Sequence, residues 1–226
     1  MRTFGEPMQT TADAKRIFLV DDHPLLRRGL GQLLEAEPDL ELAGEAGSGE
    51  QAMALLPGSG ADLVLLDLNM RGMGGVRTLE AIRASGMKLR VVVLTVSNAA
   101  EDVHAALQAG ADGYLLKDME PEALVAELRR AAGGELVISP ELASVLAQVL
   151  TRPNHSAADE LLAELTSRES EILRHIAKGQ SNKMIARDLG LMEGTVKVHV
   201  KSILKKLRMH SRVEAAVWAV QHGFGK

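Results

Sequence analysis

LVLLD at residues 63–67 and VVVLT at residues 91–95 each place four apolar side chains in succession and then stop on a polar residue. A strand with one wet face alternates, whereas a run that is apolar throughout must bury both faces, as parallel strands do between two layers of helices. Outward from these runs the pattern repeats. RIFLVDD (16–22), LELAGEA (40–46) and GYLL (113–116) complete five strands, and longer helical patterns begin at Pro24, Ser48, Gly74, Ala100 and Glu120. The expected fold is an α/β doubly wound domain with a parallel five-stranded sheet.

Ligands of such sheets bind beyond the carboxyl ends of the strands, so the residues following each apolar run are the chemical candidates. They are Asp21 and Asp22, Asp67, Thr95 and Lys117. Three carboxylates brought together repel one another unless a divalent cation joins them, and all-oxygen ligation favours Mg2+. Asp67 stands alone on the central strand and is the best nucleophile toward a phosphoryl group, with Lys117 neutralising the oxygens as charge develops. The glycine-containing LNMRGMGG that follows supplies flexible backbone, and the Asn69 carbonyl is assigned as a further metal ligand. Any one of these aspartates could simply end a strand or cap a helix; the whole set in strand order argues against that.

DDHP, LLDLNM, LTVSN and GYLLKDMEP together resemble the receiver of NarL/FixJ-class response regulators, which implies the flavodoxin-like strand order 2-1-3-4-5. The resemblance implies that a sensor histidine kinase donates phosphate to Asp67, that Asp22 and Asp67 hold Mg2+ with Asp21 in support, and that Lys117 contacts the acyl phosphate. It also implies that Thr95 turns toward the phosphoryl group and that Tyr114 changes rotamer with it, although edge packing explains a tyrosine there equally well. One residue departs from the class: a proline is usual two positions after Asn69, and Arg71 stands there.

At 226 residues the chain is longer than the commonest single domain, and a second unit is expected. Past Gly134 the alternation ends; a helical piece, PELASVLAQVL, and the polar stretch TRPNHSAADE read as a linker over 134–163, between a receiver at 16–133 and a domain at 164–226. That last segment has a net charge of +6 against −10 for the rest, which suits an anionic target such as double-stranded DNA and makes electrostatic masking of one half by the other reasonable. It contains four helical patterns, the first with Thr166 as cap and Glu169 three residues later.

In EGTVKVHVKSILKKLR, Val196, Val200, Ile203, Leu204 and Leu207 form one stripe, while Lys197, Val198, Lys201, Lys205 and Arg208 share a neighbouring face. A solvated charged face is the plain reading; the shorter helix before it, after a glycine, gives helix-turn-helix proportions and favours DNA. Lys197, Val198 and Lys201 are the base-reading candidates, the valine suited to a thymine methyl. The segment, with NKMIAR and TVKVHVK, also resembles the LuxR-type DNA-binding domain, and within the class is most similar to members that answer nitrate and nitrite. That implies base contacts from those three residues, phosphate contacts from Asn182, Lys183 and Arg187, a dimer on DNA, RNA polymerase as a further partner, and control of anaerobic respiration genes.

The last helix is expected to bury Val213, Val217 and Val220 and to expose Trp218, which a dimer or the receiver would cover. The seven histidines show no ligand spacing with one another or with carboxylates. With 46% apolar and 25% charged residues, no run approaching the roughly 20 apolar residues of a membrane span, no secretory leader in MRTFGEPMQTTADAKR and no cysteine, the chain is expected to be cytoplasmic, without membrane partners. The expectation is a phosphorylation-switched transcription regulator rather than an enzyme. A small-molecule-switched DNA-binding regulator and an Mg2+-dependent phosphotransfer protein remain as alternatives.

Overall fold

The computed structural model describes residues 14–96, 99–142, 145, 161–162 and 164–224. Its first half alternates β1 (Lys15–Val20), α1 (Pro24–Glu35), β2 (Leu40–Ala46), α2 (Gly49–Ser59), β3 (Leu63–Leu66), α3 (Gly75–Ala84), β4 (Arg90–Thr95), α4 (Ala100–Gln108), β5 (Gly113–Leu116) and α5 (Pro121–Ala132), followed by the short β6 (Val137–Ile138). All pairings are parallel, and the sheet order is β2-β1-β3-β4-β5-β6.

The unbroken apolar runs are explained by what lies on each side. Leu63 and Leu65 of β3, with Ile17, Leu19, Val92 and Leu94, pack against α1 and α5 through Leu34, Leu124 and Leu128. Val64 and Leu66, with Phe18, Val20, Val91 and Val93, pack against α2, α3 and α4 through Leu56, Leu79, Ile82 and Leu107. Neither face meets water, so no alternation survives in the sequence.

The turn from β3 into α3 is tight: a Cβ on Gly75 would lie 2.2 Å from the Asp67 carbonyl oxygen and 2.5 Å from the Leu68 Cα. Both obstacles are backbone and cannot rotate aside. Gly75→Ala is expected to lower stability by about 2 kcal/mol in urea unfolding, in the range of overpacked cores.

The expected order 2-1-3-4-5 holds, and a sixth strand extends the sheet beyond β5, inside the stretch past residue 133 that is expected to be linker. Gly113 pairs with Val137 and Tyr114 with Ile138. Ser139 extends the join, its N–H donating to the Tyr114 carbonyl at 2.9 Å and its Oγ accepting from the Leu116 N–H at 3.1 Å. Pro140–Leu142 continue as helix. The rest of the PELASVLAQVL helix, Val145 apart, and all of TRPNHSAADE lie outside the described residues.

The second half is helical: α6 (Ser167–Ala177), α7 (Asn182–Leu189), α8 (Glu193–Lys206) and α9 (Arg212–Gln221). Thr166 and Glu169 form the capping box expected of them. α7 ends on Gly190 at φ +63°, a left-handed position suited to glycine, and α8 starts three residues later. The α8 stripe faces inward at Val196, Val200, Ile203 and Leu207, as its periodicity required.

α9 is rotated from the expected face. Val213 is buried, but Val220 is 52% exposed, and Trp218 is only 8% exposed, its ring stacked on His222 at 4.2 Å. Ala215, Ala216 and Ala219 are buried in the same cluster as Ile172, Leu173 and Ile176 of α6. Small side chains let two helices approach closely, and the tryptophan, with the largest area to hide, goes inward while a valine stays out. Among the described residues no helix is long and apolar enough to cross a membrane.

Candidate functional site

Parallel pairing in register carries the ends of β1, β3, β4 and β5 to one edge of the sheet, and there Asp21, Asp22, Asp67, Thr95 and Lys117 come together. Lys117 Nζ lies 2.7 Å from both Asp21 Oδ2 and Asp67 Oδ2. All three side chains are buried, Asp67 at 1% exposure. The Asp67 N–H is held by the Val20 carbonyl at 2.8 Å, and its Oδ1 accepts from the Asn69 N–H at 3.1 Å. Thr95, fully buried, receives the Lys117 N–H on its carbonyl at 2.9 Å. Tyr114 is also fully buried, with its hydroxyl donating to the Val103 carbonyl of α4 at 3.2 Å; burial pushes its phenol above the ordinary range.

One ammonium pairs with two of the three carboxylates, so negative charge remains. Ligand atoms of Asp21, Asp22, His23 and Asp67 lie within 4.8 Å of one another. Asp22 Oδ1 is buried with no hydrogen-bond donor, and Asp21 Oδ2 and Asp67 Oδ2 meet Lys117 as ion pairs only. Oxygen donors with unspent charge fit a hard divalent cation of the Mg2+ type.

His23 corrects the expectation that no histidine has ligand spacing to carboxylates: its Nδ1 is 3.1 Å from Asp21 Oδ1 and 3.0 Å from Asp22 Oδ1. Its position directly after the aspartate pair in DDHP was the available signal. Nothing in that spacing said the ring would turn back on them.

The helical half offers a second surface. Lys197, Val198, Lys201 and Lys205 are exposed on one side of α8, Val198 at 69%, with Lys197 paired to Glu193 at 2.7 Å; Arg208, expected on the same face, lies past the end of the helix at φ +56°. On α7, Lys183 is exposed and Arg187 is exposed beside Asp188 at 3.2 Å. Asn182 differs from its neighbours: it is half-buried and its Oδ1 accepts from Arg212 at 2.8 Å, which leaves its amide NH2 to donate.

Contact between the halves is made away from this surface. The Leu136 N–H donates to the Gly179 carbonyl at 3.1 Å, and Leu136 and Ile138 line an apolar cavity of about 200 Å³ with Ala177, Ala216, Val217 and Val220. Arg212, bonded to the Gln180 carbonyl, is pushed down to about 10 by burial and by Arg90 across the boundary.

This pairing of an aspartate pocket with a helix-turn-helix matches two family models. Residues 17–129 match the response regulator receiver domain, and residues 163–219 match the bacterial regulatory proteins of the luxR family. The chain belongs to the NarL/FixJ family of response regulators, two-component proteins that act on transcription. It is 53% identical to the nitrate/nitrite response regulator protein NarL of Escherichia coli strain K12, over 91% of this chain and 94% of that protein. It is 45% identical to the nitrate/nitrite response regulator protein NarP of the same strain, over 91% and 94%. The crystal structure of the response regulator ChrA, from a heme-sensing two-component system, aligns over 94% of this chain and 99% of that one, with 33% identity and a TM-score of 0.51.

Proposed function

We propose that a sensor histidine kinase answering nitrate or nitrite phosphorylates this chain at Asp67, and that the modification controls its binding to promoter DNA. The observation that carries the reading is the Asp67 carboxylate held 2.7 Å from Lys117 beside unspent carboxylate charge, in one chain with an exposed Lys197, Val198 and Lys201. The signal rests on the nitrate/nitrite relatives.

In the transfer, an Asp67 carboxylate oxygen forms the new P–O bond as the P–N bond of a phosphohistidine breaks, its electron pair leaving on the imidazole nitrogen. Lys117, already between Asp21 and Asp67, is placed to follow the phosphoryl oxygens. Asp22, Asp67 and the Asn69 carbonyl would hold Mg2+, with Asp21 in support; when bound, it neutralises charge developing on those oxygens.

Thr95 and Tyr114 are the switch in this reading, and the Tyr114 bond to Val103 is what a rotamer change would break. Their strands lead to the second half, because Ser139 clasps β5 at Tyr114 and Leu116 while Leu136 holds Gly179. The receiver, expected over 16–133, is extended by β6, with the rest of 134–163 as linker and 164–226 as DNA-binding domain. The class resemblance implies that the receiver covers the recognition helix, but Lys197, Val198 and Lys201 are already exposed; masking in this chain fixes the domain's pose instead, through Leu136 and Ile138, which share an apolar cavity with Ala216 and Val217 of α9. Release permits a dimer whose Lys197, Val198 and Lys201 read bases, with Asn182, Lys183 and Arg187 on phosphates and RNA polymerase as the next partner.

The full chain, treated with Mg2+ and a small phosphodonor, is expected to bind candidate promoter DNA more tightly in fluorescence anisotropy. Asp67→Ala is expected to remove the response, and Lys201→Ala to weaken binding by roughly tenfold, the loss of one base contact. An unchanged response in Asp67→Ala would overturn the assignment.

A further inference from the structure

The loop between β3 and α3 is tethered by backbone N–H groups to a carboxylate on the first turn of α2 and to one on the β1–α1 loop. Met73 N–H donates to Glu50 Oε1 at 3.0 Å, and Arg71 N–H donates to Asp22 Oδ2 at 3.1 Å. The second tether enters the acidic cluster. It occupies one Asp22 oxygen and leaves the other, Oδ1, buried and without a hydrogen bond, its one ion-pair contact being to His23 Nδ1 at 3.0 Å. The Arg71 guanidinium, by contrast, makes no hydrogen bond or ion pair with the described residues, and the side chain is exposed.

We propose that Arg71 is a positioning residue for the cation site, acting through its backbone N–H: by holding Asp22 Oδ2 it presents Oδ1 to Mg2+. This rests on the reading of the aspartate cluster as a Mg2+ site. A carboxylate on a loop end otherwise rotates freely, and fixing it before the ion arrives removes an ordering cost from binding. The side chain at position 71 is then immaterial to the ion, whereas the presence of an N–H is decisive. Proline, the residue usual here in the class, has none. The cluster in this chain therefore depends on a bond that such a proline could not make.

The test separates the side chain from the N–H. Mg2+ is titrated by calorimetry into the full chain, into Arg71→Ala and into Arg71→Pro, with far-UV circular dichroism to check folding. Arg71→Ala is expected to bind Mg2+ within roughly twofold of the unaltered chain, and Arg71→Pro about fivefold more weakly, as loss of one modest hydrogen bond implies. Equal affinities for the two variants overturn the proposal. If Arg71→Pro does not fold, amide hydrogen exchange decides: the Arg71 amide is expected to be protected in the unaltered chain and to lose that protection in Asp22→Ala, and exchange at the rate of a free peptide in the unaltered chain overturns the proposal. Absence of any Mg2+ binding by the unaltered chain overturns the cation reading itself, and so is distinct from failure of the Arg71 role.

Discussion

Lys117→Met is expected to destabilise the receiver by about 3 kcal/mol and to abolish phosphate uptake at Asp67. The ammonium touches two buried carboxylates at 2.7 Å, and removing one partner of a buried ion pair leaves the others without compensation in a medium that solvates them poorly. Methionine keeps most of the volume, so the loss measures charge rather than packing. Urea unfolding gives the stability, and mass spectrometry after phosphodonor treatment gives the phosphate. Because the residual repulsion involves Asp67, adding Asp67→Asn to Lys117→Met is expected to restore part of the stability, a non-additivity that a double-mutant cycle reads directly. A Lys117→Met chain as stable as the original would contradict the buried charge balance described here.

Glu169→Ala is expected to cost about 3 kcal/mol in the helical half while leaving Mg2+ binding by the receiver intact. Buried Glu169 accepts from the Thr166 N–H at 2.8 Å, the Ser202 hydroxyl at 2.7 Å and Lys206 Nζ at 2.6 Å, so one carboxylate both caps α6 and pins α8 to it. Burial alone would raise its pKa, but Lys206, Ser202 and Thr166 together outweigh burial and bring it down to about 2 from an ordinary 4.5. A carboxyl whose folded pKa is lowered contributes stability that is complete above the unfolded value and is lost as pH falls toward the folded one. The loss therefore falls between about pH 4.5 and pH 2, and amounts to about 3 kcal/mol for a shift of that size. Trp218, the single tryptophan and buried in the same half, supplies the fluorescence. The acid midpoint for loss of its buried signal is expected to rise in Glu169→Ala, and an unchanged acid profile would show that the carboxylate is not held as described.

Much of this molecule was legible from residue order. LVLLD could only be a strand buried on both faces, and strand ends in a doubly wound sheet converge, so Asp21, Asp67, Thr95 and Lys117 met where they were expected to meet. The capping box and the inward stripe of α8 followed from spacings of three and four residues, which are local and need no knowledge of the rest of the chain.

What only the tertiary structure decided depends on neighbours distant in sequence. A strand of two residues carries no period, and β6 exists because β5 offers it an open edge. Trp218 turned inward and Val220 outward because α6 lies close against the alanines of α9. His23 folded back on the aspartates, and Asn182 gave its oxygen to Arg212. The Arg71 tether to Asp22 spans 49 residues and uses a backbone group that nearly every residue possesses. Sequence pattern records where apolar area must be hidden and where a short-range cap fits. Backbone hydrogen bonds and helix rotation are set by which surfaces meet, and are largely blind to residue type until the chain has folded.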